Sequence, residues 1–219
     1  MAMQMKIYVP PHPLIKHWLG VARDQNTPST LFKTAMVELG RWLTYEAIRD
    51  WLPTINTKVE TPLATADAIF IDPQSALACI PILRAGLTLA EGAQTILPLA
   101  STYHLGLVRN EETLQPSCYM NKLPAHFTPD TRILILDPML ATGGSMIYAL
   151  EEVLKRGGNI DLTRIISVVT APPALRQLSL SYPTLTLFTA MIDEVVNDDG
   201  FIVPGLGDAG DRSFNTENL

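Results

Sequence analysis

Long apolar stretches are missing from this chain of 219 residues: no run approaches the roughly 18 residues that a membrane-spanning helix needs. The opening MAMQMKIYVPPHP is no secretory leader, so a cytoplasmic protein is expected. Cysteine is scarce. Cys79 and Cys118 stand far apart and form no CxxC, which points to buried, reduced thiols rather than a disulfide or a redox pair. His12, His17, His104 and His126 show no zinc-ligand spacing. Charge is thin as well, with 17% charged residues and a net charge of −6. That balance disfavours a nucleic-acid partner, although a local basic patch is compatible with it. No internal repeat, low-complexity tract or domain-separating linker divides the sequence.

What is present is apolar content of 47% with slightly positive mean hydropathy, enough for one well-packed domain spanning 1–219 or for one hiding surface in an oligomer. Its most informative stretch runs from Arg132 to Leu150, RILILDPMLATGGSMIYAL. Ile133, Leu134, Ile135 and Leu136 form the continuous apolar run of a strand buried on both faces. Asp137 ends it, Pro138 forbids an ordinary continuation, and Thr142, Gly143, Gly144 and Ser145 turn the chain before helical spacing starts at Met146. A loop between a strand's carboxyl end and a helix's amino end offers backbone N–H groups and dipole potential to a phosphate. Asp137 would repel that phosphate, so its carboxylate is better suited to accept sugar hydroxyls. A ribose phosphate satisfies both halves, and an ordinary turn with a capping Asp is the competing explanation.

Other segments fit the same architecture. Leu14 to Asp24 has loosely helical spacing behind a stiff arm with Pro10, Pro11 and Pro13, of a kind that packs on a partner subunit. Thr27 is placed to cap, with Pro28 at the first position, a longer helix that continues until Pro53. Residues 54–76 are mixed, with short strands expected only at Val59 and Ile69 to Ile71. Ala76 to Leu83 predicts a second buried strand, followed by Arg84, Ala85, Gly86 and a helix from Leu87 to Ile96. Tyr103 to Val108 predicts a strand ending at Arg109, with Cys118 to Leu123 returning as a hairpin around a polar, mobile tip. Strands at Thr163 to Thr170 and Leu185 to Ala190 flank a helix at Pro172 to Ser181. Alternating strands and helices give an α/β fold with a mostly parallel central sheet flanked by helices. The tail GFIVPGLGDAGDRSFN mixes turn formers with Phe201, Ile202, Val203 and Leu206, so an ordered, partly buried end is expected.

Two patterns mislead. Gly205, Gly207 and Gly210 match G-x-G-x-x-G, but too little chain follows for a dinucleotide fold. DPMLATGGS has no Lys before its Ser and is no P-loop. Arg84 to Gly86, Arg109 and Asp137 to Ser145 remain, all at carboxyl ends of strands, where an open parallel sheet binds its ligand. Two guanidinium groups there would suit a pyrophosphate.

The segments HPLIKH, LTYEAIRD, PILRAG, RNEETL, DPMLATGGS and PGLGDAGDR occur in the order and spacing found in uracil phosphoribosyltransferases, and the chain resembles that family over nearly its full length. The resemblance implies the type I phosphoribosyltransferase fold with an N-terminal helical arm (about 1–53), a core (about 76–190) binding 5-phosphoribosyl 1-pyrophosphate (PRPP), and a base-binding hood at about 191–219. It implies that uracil and PRPP become UMP and pyrophosphate in pyrimidine salvage. Asp137, Pro138, Met139, Leu140, Ala141, Thr142, Gly143, Gly144 and Ser145 would hold the ribose phosphate, Arg84 and Arg109 the pyrophosphate. Ile202, Gly207, Asp208 and Ala209 would hold uracil. Arg109, Asp137 and Asp208 would be the catalytic groups, and Asp208 would also face PRPP, through its Mg²⁺. Family members are commonly homodimers or larger homo-oligomers, and several are activated by GTP, for which no residue here marks a site. An RNA-binding pyrimidine-operon regulator on the same fold, or a phosphoribosyltransferase for another nucleobase, are the alternatives. TAPPAL at 170–175 departs from the family by lacking an acidic residue.

Overall fold

Burial on both sides explains the apolar run at 133–136. Ile133 and Ile135 pack into one hydrophobic cluster and Leu134 and Leu136 into another, each side chain at most 1% exposed. Alternate residues of a strand point to opposite faces, so this strand lies at the centre of a sheet covered on both sides. The computed structural model describes residues 4–109 and 116–216. The hairpin tip expected at 110–115 lies outside those residues, and the side chains of Arg109 and Pro116 are likewise outside the description.

In chain order, β1 (Lys6–Tyr8), α1 (Pro13–Arg23) and α2 (Ser29–Ile48) precede a hairpin of β2 (Thr54–Glu60) and β3 (Thr65–Ile71). The core follows with β4 (Leu77–Leu83), α3 (Gly86–Ile96), β5 (Ser101–Thr102), β6 (Leu105–Arg109) and β7 (Pro116–Asn121). Next come β8 (Arg132–Leu136), β9 (Met139–Leu140), α4 (Gly144–Lys155), β10 (Thr163–Thr170), α5 (Pro172–Ser181) and β11 (Thr186–Ile192). The tail holds β12 (Val195–Val196), β13 (Ile202–Val203) and α6 (Ala209–Phe214). The main sheet runs β1-β11-β10-β8-β4-β6-β7, with β5 beside β4 and β9 beside β10. Every pairing in it is parallel except β6 with β7. The expected α/β sheet is therefore present, and the carboxyl ends of β4, β6, β8, β10 and β11 share one edge.

One face of the sheet is covered by α1, α2, α3 and the tail, which contribute Ile15, Phe32, Leu39, Leu89, Ile202 and Leu206 to a common core. The other is covered by α4 and α5 through Met146, Leu150, Val153, Ala174 and Leu178. Cys79 lies inside the first core, where burial pushes its thiol up to about 12; the two cysteines are free, as expected, but Cys118 is only half-buried because it lies on the outer strand of the sheet. At the other cysteine's strand, Asn121 donates to Glu152 at 2.7 Å and fastens the β6–β7 hairpin to α4. Burial raises the Glu152 pKa, but hydrogen bonds from Lys155 and Arg156 outweigh it and hold the carboxyl below its ordinary value. The stabilisation from this charge is thus present at neutral pH and is lost as pH falls through the depressed folded value.

Several local expectations change. Thr27 does not cap α2: its hydroxyl donates to the Val21 carbonyl at 2.7 Å, leaving Pro28 at the cap position. The helix ends at Ile48, before Pro53 can interrupt it. Val59 and Ile69 to Ile71 are parts of one continuous seven-residue antiparallel pairing between β2 and β3. α1 and α2 give Ile15, Leu19, Phe32, Met36 and Leu39 to the core of this chain and leave Leu14, Leu31 and Tyr45 exposed. Sheet pairing also resumes beyond Pro138, because its carbonyl accepts the N–H groups of Val168 and Val169 at 3.0 Å and the chain rejoins β10 as β9. Pro lacks only a donor, so the interruption is local.

Candidate active site

The strand ends meet in a crevice of about 820 Å³ that the tail closes from above. Arg84, Asp137, Met139, Ala141, Ser145, Ile202 and Asp208 all line it, which brings the mid-chain loop, the β4 loop and the tail to one place. Among the described residues no helix is long and apolar enough to cross a membrane, and nothing competes with this crevice for the expected site residues.

The mid-chain loop is built by backbone bonding. Asp137 donates its N–H to the Ile166 carbonyl at 3.1 Å, continuing the β8–β10 register as its side chain reaches the crevice wall. Ala171 and Ala174 donate to the Leu140 and Ala141 carbonyls, pinning the loop onto the start of α5. Gly143 then turns the chain at φ +93°, a conformation an L side chain rarely adopts, and a Cβ there would stand 3.2 Å from the Ala174 backbone. Among the described residues no side chain caps α4. Its first-turn N–H groups are thus left for an anion.

The β4 loop follows a cis Leu83–Arg84 peptide. Arg84 reaches across to the tail and pairs with Asp211 at 2.9 Å, with about half of its own side chain still exposed. Asp208 caps α6 by accepting the Asp211 N–H at 2.9 Å, which fixes its carboxylate at the crevice wall. Ile202 is 7% exposed; its strand pairs with β12, closing a small hairpin over the crevice. In this arrangement Arg84 and the tail belong to one bonded unit.

Not every expected residue forms a wall. Leu140 is 1% exposed and packs in the core below α4 and α5, and Pro138 is also buried, so both serve the loop through their carbonyls. Thr142, Gly143 and Gly144 make the turn beside Ser145 without lining the crevice. Gly207 and Ala209 belong to the tail turn in the same way, with the Ala209 methyl buried. Arg109 ends β6 at the correct edge; its side chain is outside the description.

The crevice also uses residues that sequence reasoning passed over: Val108, Tyr119, Asp198, Asp199 and Phe201. Asp198 and Asp199 sit in the turn joining β12 to β13, closed by Asn197 donating to and accepting from Phe201. The signal was there, since Asp-Asp-Gly between two apolar pairs is hairpin chemistry. Four carboxylates therefore line the crevice against one described guanidinium. Hard oxygen donors of this kind suit a divalent cation arriving with phosphate groups. Among the described residues no group of three His, Cys, Asp or Glu side chains is close enough to hold a metal alone.

Comparison with known proteins finds one family over nearly the whole chain. The family model described as uracil phosphoribosyltransferase matches residues 9–216. A uracil phosphoribosyltransferase of Nostoc sp. is 66% identical over 216 residues, 99% of this chain and all of that protein. One from Synechocystis sp. is 65% identical with the same coverage. Among solved structures, the AQ2163 protein from Aquifex aeolicus superposes with a TM-score of 0.86 at 36% identity, covering 97% of this chain and all of the other.

Proposed function

The chain belongs to the uracil phosphoribosyltransferase family, and we propose that the crevice between the mid-chain loop and the tail is where it joins uracil to PRPP, giving UMP and pyrophosphate. The observation that carries this assignment is the convergence of Asp137, Ser145, Arg84, Ile202 and Asp208 on one hollow. A sugar phosphate needs the first two and a base needs the tail.

The ribose 5-phosphate sits on the N–H groups at the start of α4, around Thr142 to Ser145, and Asp137 accepts the ribose hydroxyls. Arg84 and Arg109 bind the pyrophosphate and stabilise it as it leaves. Uracil offers two carbonyl acceptors flanking an N–H donor, which an extended turn matches with its own N–H, C=O and N–H groups near Ile202 and Gly207 to Ala209. Cytosine presents an amino donor in place of one carbonyl, so donor would meet donor, at a cost on the order of a few kcal/mol. Uracil N1 attacks the anomeric carbon with inversion. The bond to pyrophosphate breaks through an oxocarbenium-like state, and the N1 proton leaves to solvent. No covalent intermediate on the protein is needed; positioning and electrostatics carry the rate. Mg²⁺, bound with PRPP and facing Asp208, would offset the negative charge that the phosphates and the crevice carboxylates share.

The same family membership supports a homo-oligomer, and the β2–β3 hairpin is its natural contact. It pairs with nothing else in the described chain, and it exposes Ile55, Ile69, Phe70 and Ile71. An isolated hairpin is marginal in water, so a neighbouring subunit would cover it.

Incubating the pure protein with uracil, PRPP and Mg²⁺ is expected to yield UMP, and chelating the metal to stop it. Hypoxanthine, guanine and cytosine run in parallel should give none. Absence of UMP above background, or faster turnover of another base, would refute the assignment.

A further inference from the structure

The turn that meets uracil is held from outside the crevice. Asp193, just past the carboxyl end of β11, is only 5% exposed. Its Oδ2 accepts the Gly205 N–H at 2.9 Å, and its Oδ1 accepts Nη2 of Arg23 at 2.6 Å. Arg23 is the last residue of α1, far from the tail in sequence. From the other side, Arg212 donates to the Leu206 carbonyl at 2.7 Å and to the carbonyls of Ala22 and Asp24 at 2.5 and 2.6 Å. Its guanidinium lies 4.1 Å from the centre of the Phe32 ring. The end of α1 thus grips Gly205 and Leu206 from two directions, and none of Arg23, Asp193 or Arg212 lines the crevice.

A buried carboxylate keeps its place only while its charge is answered. Removing the Arg23 guanidinium leaves Asp193 with the single Gly205 N–H and drives it toward water, taking the turn along. The mid-chain loop is held by separate bonds: the Ile166 carbonyl accepts the Asp137 N–H, and Ala171 and Ala174 donate to the Leu140 and Ala141 carbonyls. We propose that Arg23, acting through Asp193, is a positioning residue that sets the uracil-reading turn at 205–208; this rests on the assignment of that turn to the base. Base affinity is therefore under the control of the N-terminal helix, while PRPP affinity is not.

The test compares the full-length parent with Arg23→Ala and Arg23→Lys, measuring KM for each substrate and amide hydrogen exchange at 202–208 and 137–145. Arg23→Ala is expected to raise KM for uracil at least about tenfold, leaving KM for PRPP within about twofold. Exchange should quicken at 202–208 and stay unchanged at 137–145. Lysine keeps the charge without the guanidinium fork and should recover part of the uracil KM. An equal rise in both KM values, or unchanged exchange at 202–208, would overturn the proposal. If the alanine variant does not fold, the KM split of the lysine variant decides. If the parent forms no UMP, the assignment of function fails, and the exchange comparison still shows whether Arg23 sets the turn.

Discussion

Asp137→Asn is expected to lower kcat for UMP formation by about a hundredfold, with the melting temperature within about 2 °C of the parent. Asparagine fills the same volume, and the backbone N–H of residue 137 would still reach the Ile166 carbonyl. What disappears is a negative charge at the carboxyl end of β8, on the wall of the crevice. On the proposed assignment that charge would both accept the ribose hydroxyls and face the positive charge that grows on the sugar as pyrophosphate departs. Asparagine also turns an N–H₂ group toward hydroxyls that need an acceptor. Steady-state rates and a thermal melt on the same preparation check this; unchanged turnover would remove Asp137 from the catalytic assignment.

Gly205→Ala is expected to reduce kcat/KM for uracil by a similar factor, through geometry alone. Gly205 has φ +57°, and a Cβ built there would lie 2.1 Å from the Ile202 carbonyl oxygen. Both are backbone constraints, so no side chain can rotate to relieve them, and the turn must shift between Ile202 and Asp208. A displacement near 1 Å at a positioning element costs on the order of a hundredfold. The phosphate loop is untouched, so KM for PRPP should hold. Competition kinetics with uracil and PRPP varied separately would show it, and a uracil KM equal to the parent's would mean that the turn does not hold the base.

The contrast between these two residues shows what the sequence made legible. Asp137 announces itself, because a four-residue apolar run broken by Asp-Pro and then by Thr-Gly-Gly-Ser is a local pattern with a chemical meaning. The buried strands β4, β8 and β10 and the helix α5 were readable for the same reason. The β2–β3 hairpin was harder: its residues are largely exposed, so no core imposes a two-faced apolar pattern, and only fragments of each strand stood out. β1 is three exposed residues whose strand character comes from its partner β11. At the site, Arg84, Asp137, Ser145 and Asp208 were found from loop chemistry, Asp198 and Asp199 were missed although their turn is legible, and Tyr119 and Phe201 gain their place only through tertiary folding. The Arg23–Asp193–Gly205 chain could not be read at all. Its members are joined across long stretches of sequence, and each in isolation is an ordinary charged or turn residue.

A crystal of this protein soaked with UMP would test the junction of loop and tail most directly. The phosphate should lie within hydrogen-bond reach of the N–H groups of Thr142 to Ser145, with the uracil edge against the backbone between Ile202 and Ala209 of the same crevice. A nucleotide whose base lies away from the tail, or whose phosphate lies away from the start of α4, would contradict a single site made from both.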